Sequence, residues 1–392
     1  MPAKTLKTTF LCTLACALSS VMHSPPSVAE IKTSGELAGW GEGASNIKKN
    51  HFYSLRYLPE IKADGSVIDS LKWDLDIAGN FSGSHMQKEG SSPESCRTAR
   101  FYRLWGRLSG EKTEIRAGLQ KISFGPGKIL RSLKWFDHID PKDPTQFTLG
   151  VYGALYRQYF EDNSNIWIWS LLENSDPMGP VPLTSKKNDP EYGGRVQFPI
   201  LGGEMGFSAH HRKIDIKPMT GNTPSLSGNI YDRTVDENRV GMDGTWDIGI
   251  GSWFEATFSN IKKYEFLPGS ILFATLGGDY TIGIYNGLYI LAEAMYLSYS
   301  SYGQVEAAER SFVVFSPSYP LTILDQIRLI AFRDIKEGKG NYYLDWQRKY
   351  DNLLYSVGLF YNETEGAEPL ASAPADEQKI QKGAKLLIQF NH

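Results

Sequence analysis

Along this chain, stretches of period-two hydrophobicity are joined by connections that alternate between short and long. Short polar turns stand at 109–112, 161–165, 201–203, 249–251, 285–287 and 350–352. Longer polar stretches fall between them, at 84–97, 123–148, 173–190, 213–236 and 362–379. Period two is the repeat of a β-strand, whose side chains point by turns to opposite faces. Tight turns at one rim and long loops at the other are what a transmembrane antiparallel β-barrel produces. A soluble β-sandwich or β-propeller also has short strands and regular turns, but neither explains the odd/even asymmetry. No internal repeat of about 40 residues, the propeller signature, is visible.

The clearest strand is 71–77. Leu71, Trp73, Leu75 and Ile77 share one face, and Lys72, Asp74 and Asp76 share the other. Such a strand separates lipid from water. The segment 100–108 places Tyr102, Leu104, Gly106 and Leu108 opposite Arg103, Trp105 and Arg107, and 114–120 follows it as a hairpin partner. The pattern recurs at 36–42, 51–58, 151–159, 192–198, 204–212, 240–248, 252–259, 272–282, 288–298, 310–316, 325–333, 342–349, 353–361 and 382–390. The stretch 166–172 is apolar on both faces. The total is about eighteen strands, with sixteen the nearest alternative, because boundaries read this way drift by ~2–4 residues. With strand one leaving the periplasm, the even connections, beginning with the second at 59–70, are the periplasmic ones, and both termini share that side.

The N-terminal 1–29 reads as a cleaved signal peptide. Lys4 and Lys7 precede the apolar run Phe10 to Val21, and Ser27-Val28-Ala29 has the small-x-small pattern of a cleavage site. A lipoprotein anchor at Cys16 does not fit the residues before it. Loss of Lys4 and Lys7 takes the net charge from −3 to −5. That balance lacks the basic stripe of a nucleic-acid binder. Cys96 is then the one cysteine, so no intramolecular disulfide forms. No later segment has the ~20 continuous apolar residues of a membrane helix. Aromatic residues make up 12 % of the chain, and many fall near strand ends, where barrels carry interfacial girdles.

The last strand, with Ala384, Leu386, Ile388 and Phe390 on one face, resembles the terminal strand that the barrel assembly machinery reads in bacterial outer-membrane proteins. Here Asn391 and His392 follow the aromatic residue. The run 116–125 (Arg-Ala-Gly-Leu-Gln-Lys-Ile-Ser-Phe-Gly), then 135–144 and 150–153, is similar to a block of porin-like barrels that include the alginate-export-like group. That resemblance implies an outer-membrane barrel of about eighteen strands acting as a channel or exporter, surrounded by lipid and lipopolysaccharide. It carries no substrate.

The connection 123–148 is the best functional candidate. It opens on Phe124-Gly125-Pro126-Gly127, a sharp bend, and holds Lys128, Arg131, Lys134, Asp137, His138, Asp140, Lys142 and Asp143. It also holds Ile129, Leu130, Leu133, Trp135 and Phe136, too apolar a set for a loop in water. Insertion into the lumen as a charged constriction is the favoured reading, and a cap on the outer rim is the alternative. Arg103, Arg107 and Arg116 form a possible basic ladder, with Asp74 and Asp76 on the strand before. They either filter solutes through a transverse field or simply salt-bridge the wall. Adjacent His210 and His211 point to opposite faces and cannot chelate one metal. Asp137, His138 and Asp140 are weak evidence for a cation. No nucleophile motif, phosphate loop or zinc-protease motif appears, so neither an enzyme nor a cofactor is expected. The reading is a channel for small polar or anionic solutes. A barrel plugged by its loops and serving as a surface anchor is the alternative, and an outer-membrane hydrolase is a weaker one.

Overall fold

The computed structural model describes residues 29–44, 50–88, 90–137, 139–174, 176, 183–215, 234–262, 268–301, 308–363 and 382–392. All but Ala29 of the expected signal segment, and His138, lie outside them. The strands are β1 (Glu30–Ala44), β2 (His51–Ile68), β3 (Leu71–Gln87), β4 (Glu94–Ser109), β5 (Thr113–Gln120) and β6 (Val151–Tyr159). They continue with β7 (Asn165–Leu171), β8 (Glu191–Ile200), β9 (Gly203–Asp215), β10 (Thr234–Asp247), β11 (Gly251–Ile261) and β12 (Pro268–Ile282). The set ends with β13 (Leu288–Ser301), β14 (Ala308–Pro320), β15 (Asp325–Asp334), β16 (Gly340–Lys349), β17 (Leu353–Asn362) and β18 (Lys382–Asn391).

Every strand pairs antiparallel with its sequence neighbours, and β1 also pairs with β18, from Glu36↔Asn391 to Ala44↔Gly383. The eighteen strands therefore close into one barrel without a free sheet edge along the closing pair. The even connections are short, from 69–70 to 283–287, and the longest described odd one is 121–150.

Surface polarity is inverted relative to a soluble protein. Tyr53, Leu55, Phe101, Ile115, Val240 and Leu276 are among the exposed large apolar side chains. Arg56, Asp76, Arg195, Arg239, Glu255 and Glu293 are among the buried charged ones. On β18, Leu386, Ile388 and Phe390 are exposed, while Lys385 on the other face pairs with Glu42 at 3.0 Å. His210 is buried and His211 lies on the outer face against Asn238, so the two do diverge.

Three local expectations are corrected. The second connection is not 59–70 but 69–70: β2 continues through Pro59, with Ile61↔Ile77 and Ala63↔Leu75 on β3. Proline cannot donate to a ladder. The β2–β3 ladder passes directly from Tyr57↔Phe81 to Glu60↔Ala78 and so accommodates it. Likewise the connection expected at 84–97 shortens to 88–93. Finally, Tyr102 leaves the row of Leu104, Gly106 and Leu108. The β3–β4 register steps from Ala78↔Arg103 to Gly79↔Phe101, so Tyr102 is the extra residue of a β-bulge.

A charge placed on the apolar exterior meets the full cost of that environment. Leu276, at the middle of β12, is 67 % exposed. Leu276→Arg is expected to destabilise the barrel by about 2–4 kcal/mol in lipid, read as a lower urea midpoint for folding in vesicles. An unchanged midpoint would place β12's outer face in water.

Candidate constriction at the β5–β6 connection

The connection between β5 and β6 is tied to strands far from its roots. The carboxylate of Glu255 on β11 accepts the backbone N–H groups of Gly127, at 2.7 Å, and Leu133, at 3.0 Å. That of Glu293 on β13 accepts those of Lys128 (2.7 Å), Ile129 (2.9 Å) and Leu130 (2.6 Å), together with Trp253 Nε1–H (3.0 Å). Hydrogen bonds to a charged group are each worth about 1.5–3 kcal/mol net. Ser132 Oγ meets Thr275 Oγ1 at 2.8 Å, and Trp135 Nε1–H donates to Thr257 Oγ1 at 3.2 Å. The glycines of the bend permit this approach. A Cβ on Gly125, where φ is +90°, would lie 2.4 Å from Glu255 Oε1. One on Gly127 would lie 2.9 Å from the same atom.

Apolar packing holds the same segment from both sides. Ile122, Phe124, Leu133, Trp135 and Phe136 cluster with Val151 and Leu155 of β6 and Trp169 and Leu171 of β7. This explains why 166–172 reads apolar on both faces: Ile168 is on the exterior, while Trp169 and Leu171 meet the segment. Leu130 packs into a second cluster with Trp253, Phe273, Leu291 and Met295. Trp169 Nε1–H donates to His210 Nδ1 at 3.1 Å. Because an indole can only donate, Nδ1 is the acceptor, and Nε2–H is the nitrogen that faces Glu191 Oε2 at 3.2 Å.

The far end of the segment docks on the opposite strands. Phe147 stacks on the bulge residue Tyr102 with centroids 5.1 Å apart, and the Arg56 guanidinium lies 4.1 Å from the Phe147 centroid. Arg56 also donates to Thr145 Oγ1 at 2.7 Å and pairs with Glu36 at 3.0 Å.

The expected site residues divide into groups. Asp74 pairs with Arg107 at 2.9 Å. Glu114 collects Arg116 at 2.9 Å, Arg107 at 3.5 Å and Arg157 at 3.7 Å. The acidic and basic residues of β3–β5 thus lie side by side on neighbouring strands, not across the barrel from one another. Arg103 donates to two backbone carbonyls, Tyr102 at 2.6 Å and Thr148 at 3.0 Å. Asp76 is buried nearby. Within the segment, Arg131 pairs with Asp137 at 2.7 Å, Lys134 donates to the Ile139 carbonyl at 3.3 Å, and Asp140 accepts the Lys142 N–H at 2.9 Å. Lys128 is exposed, with its ammonium 5.7 Å from the Trp253 centroid. Sequence reasoning missed Glu255 and Glu293, since one glutamate on a strand's polar face carries no local signal.

Solved structures with this barrel are outer-membrane porins. OccK5 (OpdH) of Pseudomonas aeruginosa matches with a TM-score of 0.54 at 12% identity, over 92% of this chain and 98% of that one. OccK11 (OpdR) of the same organism gives 0.54 at 12%, over 92% and 95%. OccAB4 of Acinetobacter baumannii gives 0.52 at 10%, over 94% and 98%. At such identity the likeness is one of fold: this chain has the porin-type barrel fold. No protein-family model and no curated protein matches the chain.

The Arg131–Asp137 pair gives the segment a pH dependence. Burial opposes the Asp137 carboxylate, but the Arg131 charge, the Ser123 hydroxyl and Lys134 outweigh it and hold its pKa below the ordinary 3.8. A depressed folded-state pKa stabilises at pH above the unfolded value and is lost as pH falls through the folded one. Hydrogen exchange at 134–137, corrected for intrinsic rates, is therefore expected to be equally slow at pH 7 and pH 5, and to accelerate only below about pH 3.8. Acceleration already at pH 5 would contradict it.

Proposed function

We propose that the chain is an outer-membrane channel for small polar or anionic solutes, with residues 123–148 lying in the lumen and setting its narrowest section. The observation that carries this reading is the anchoring of one connection to both sides of the ring. Gly127–Leu133 bind Glu255 and Glu293 on β11 and β13, while Thr145 and Phe147 meet Arg56 and Tyr102 on β2 and β4. A rim cap would have no reason to reach inward-facing side chains in the middle of strands on both sides.

The remaining parts of the reading follow from the same arrangement. The exposed apolar exterior suits lipid and, at the rim of the long connections, lipopolysaccharide. The exposed row Ala384, Leu386, Ile388 and Phe390 supports recognition by the barrel assembly machinery. Residues 1–29 serve as the signal that carries the chain across the inner membrane. Arg103, Arg107, Arg116, Arg131 and Lys134 are the groups that would meet an anion, set among the carboxylates Asp74, Asp76, Glu114, Asp137 and Asp140. No cofactor enters this reading.

A plugged barrel serving as a surface anchor is the competing function. It draws support from the filled interior along β8–β14, where Glu237, Arg239, Trp253 and Glu293 are all at most 3 % exposed. Planar-bilayer recording decides between them. The purified, folded protein is expected to open discrete ion-conducting pores, and deletion of 126–140 to raise their conductance. Folded protein that never conducts would establish the plugged barrel. Pores of unchanged conductance after the deletion would put the segment at the rim.

A further inference from the structure

The rim of short connections is built from two kinds of turn. Four of them, 201–202, 248–250, 283–287 and 321–324, contain no charged residue. They join β8 to β9, β10 to β11, β12 to β13 and β14 to β15, so they follow one another along a single arc of the ring. Their tips are large and apolar. Leu201 and Tyr285 are 89 % and 97 % exposed, Ile323 is fully exposed, and Ile248, Ile250 and Ile284 are exposed as well. The other four turns, 69–70, 110–112, 160–164 and 350–352, each carry at least one charge. There Lys112 pairs with Glu161 at 2.7 Å, both side chains exposed, and Asp162 accepts the N–H and the hydroxyl of Ser164 at 3.0 and 2.6 Å.

The apolar tips continue the outward rows of their strands. Ile248 follows Val240, Met242 and Trp246 of β10 at even spacing, and Ile284 follows Leu276, Tyr280 and Ile282 of β12. The nearest carboxylates stay off that face. Glu204 falls in the inward row of His210 and Arg212, and Asp247 in that of Arg239 and Asp243. Asp325 is buried, with Arg348 at 3.6 Å. The turn backbones find partners within the rim. The Ile248 N–H binds the Ile250 carbonyl at 3.2 Å, and the Gly287 N–H binds that of Ile284 at 2.9 Å. The Thr322 hydroxyl accepts the N–H groups of Leu324 and Asp325, both at 3.1 Å. Adjacent turns are also tied into one surface. Asn286 Nδ2–H donates to the Pro320 and Leu321 carbonyls at 3.0 and 3.3 Å, and Trp246 Nε1–H to the Ile200 carbonyl at 3.3 Å. Uncharged, apolar-tipped turns with internally bonded backbone suit the boundary between headgroups and acyl chains.

We propose that this arc is a lipid-binding surface: the four turns from β8 to β15 insert into the adjacent leaflet, while the turns from β16 round to β7 stand in water. One side of the short-turn rim then lies about 5–10 Å inside the headgroup boundary, and the barrel is seated unevenly in the bilayer. The occupant is lipid because the tips extend, without a break, the apolar face that lipid already covers, and offer no charge for a protein partner to read. The inference goes beyond the channel reading and does not depend on whether the pore conducts.

The test uses the full chain, with Cys12, Cys16 and Cys96 replaced by serine, folded into phosphatidylcholine vesicles at a high lipid-to-protein ratio. Heat-modifiable migration on a gel verifies the folded barrel. An environment-sensitive fluorophore is attached to Ile248→Cys, Ile323→Cys, Glu111→Cys or Leu276→Cys, and read with and without nitroxide-labelled acyl chains in the vesicle. The labels at 248 and 323 are expected to emit to the blue of the label at 111, and to be quenched at least about twofold more strongly. Both positions are exposed, so either one reads the arc if the other variant fails to fold. Equal quenching at 111 overturns the division of the rim. Labels at 248 and 323 that emit as in water overturn lipid insertion. Labels there that emit to the blue yet escape the nitroxide lipids put a second copy on the arc, which overturns it too. An unquenched label at 276 overturns the lipid-facing exterior itself, a result distinct from the others.

Discussion

The interaction on which everything else depends is the pairing of β1 with β18. A sheet whose exterior is apolar has no water along its face to satisfy an open edge, so each strand must find a neighbour on both sides. The ladder from Glu36↔Asn391 to Ala44↔Gly383 completes that condition and converts a sheet into a ring. His392 extends the closure by one residue, exchanging backbone hydrogen bonds with Gly35 at 2.9 and 3.0 Å. Once the ring exists, each strand has an inside and an outside, and the alternation of side chains acquires meaning.

Closure also creates an interior, and the interior must be filled or hydrated. Here one half is filled. The β5–β6 connection lends its backbone N–H groups to Glu255 and Glu293 and its aromatic rings to Trp169 and His210. Among the described residues neither glutamate forms an ion pair, and a row of N–H groups from a tight bend is a fitting partner for each. The other half keeps its charged side chains partly open, among them Arg107 at 29 % exposure and Arg116.

Strand-level features were legible because they repeat. Leu71, Trp73, Leu75 and Ile77 against Lys72, Asp74 and Asp76 announces two environments without reference to any other part of the chain. So do Phe254, Ala256 and Phe258 against Glu255, Thr257 and Ser259. Where register decided, the local pattern was silent: β2 runs on through Pro59, and the Tyr102 bulge broke no visible rule. The ladder of Arg103, Arg107 and Arg116 was visible as charge on adjacent strands. Which carboxylate each would meet was not, because that depends on register and side-chain reach.

The sequence by itself determined an antiparallel barrel of about eighteen strands, the outward face of the clearly alternating ones, and one connection too apolar to stand in water. These follow from period-two alternation and loop length, which are properties of neighbouring residues. Only the tertiary structure decided where that connection attaches and which charges meet. Gly127 and Glu255 are 128 residues apart, and Lys128 and Glu293 are 165. No local pattern encodes such a meeting. It arises because closing the ring brings β11 and β13 to the connection that leaves β5, and the carboxylates there accept the N–H groups that the bend presents.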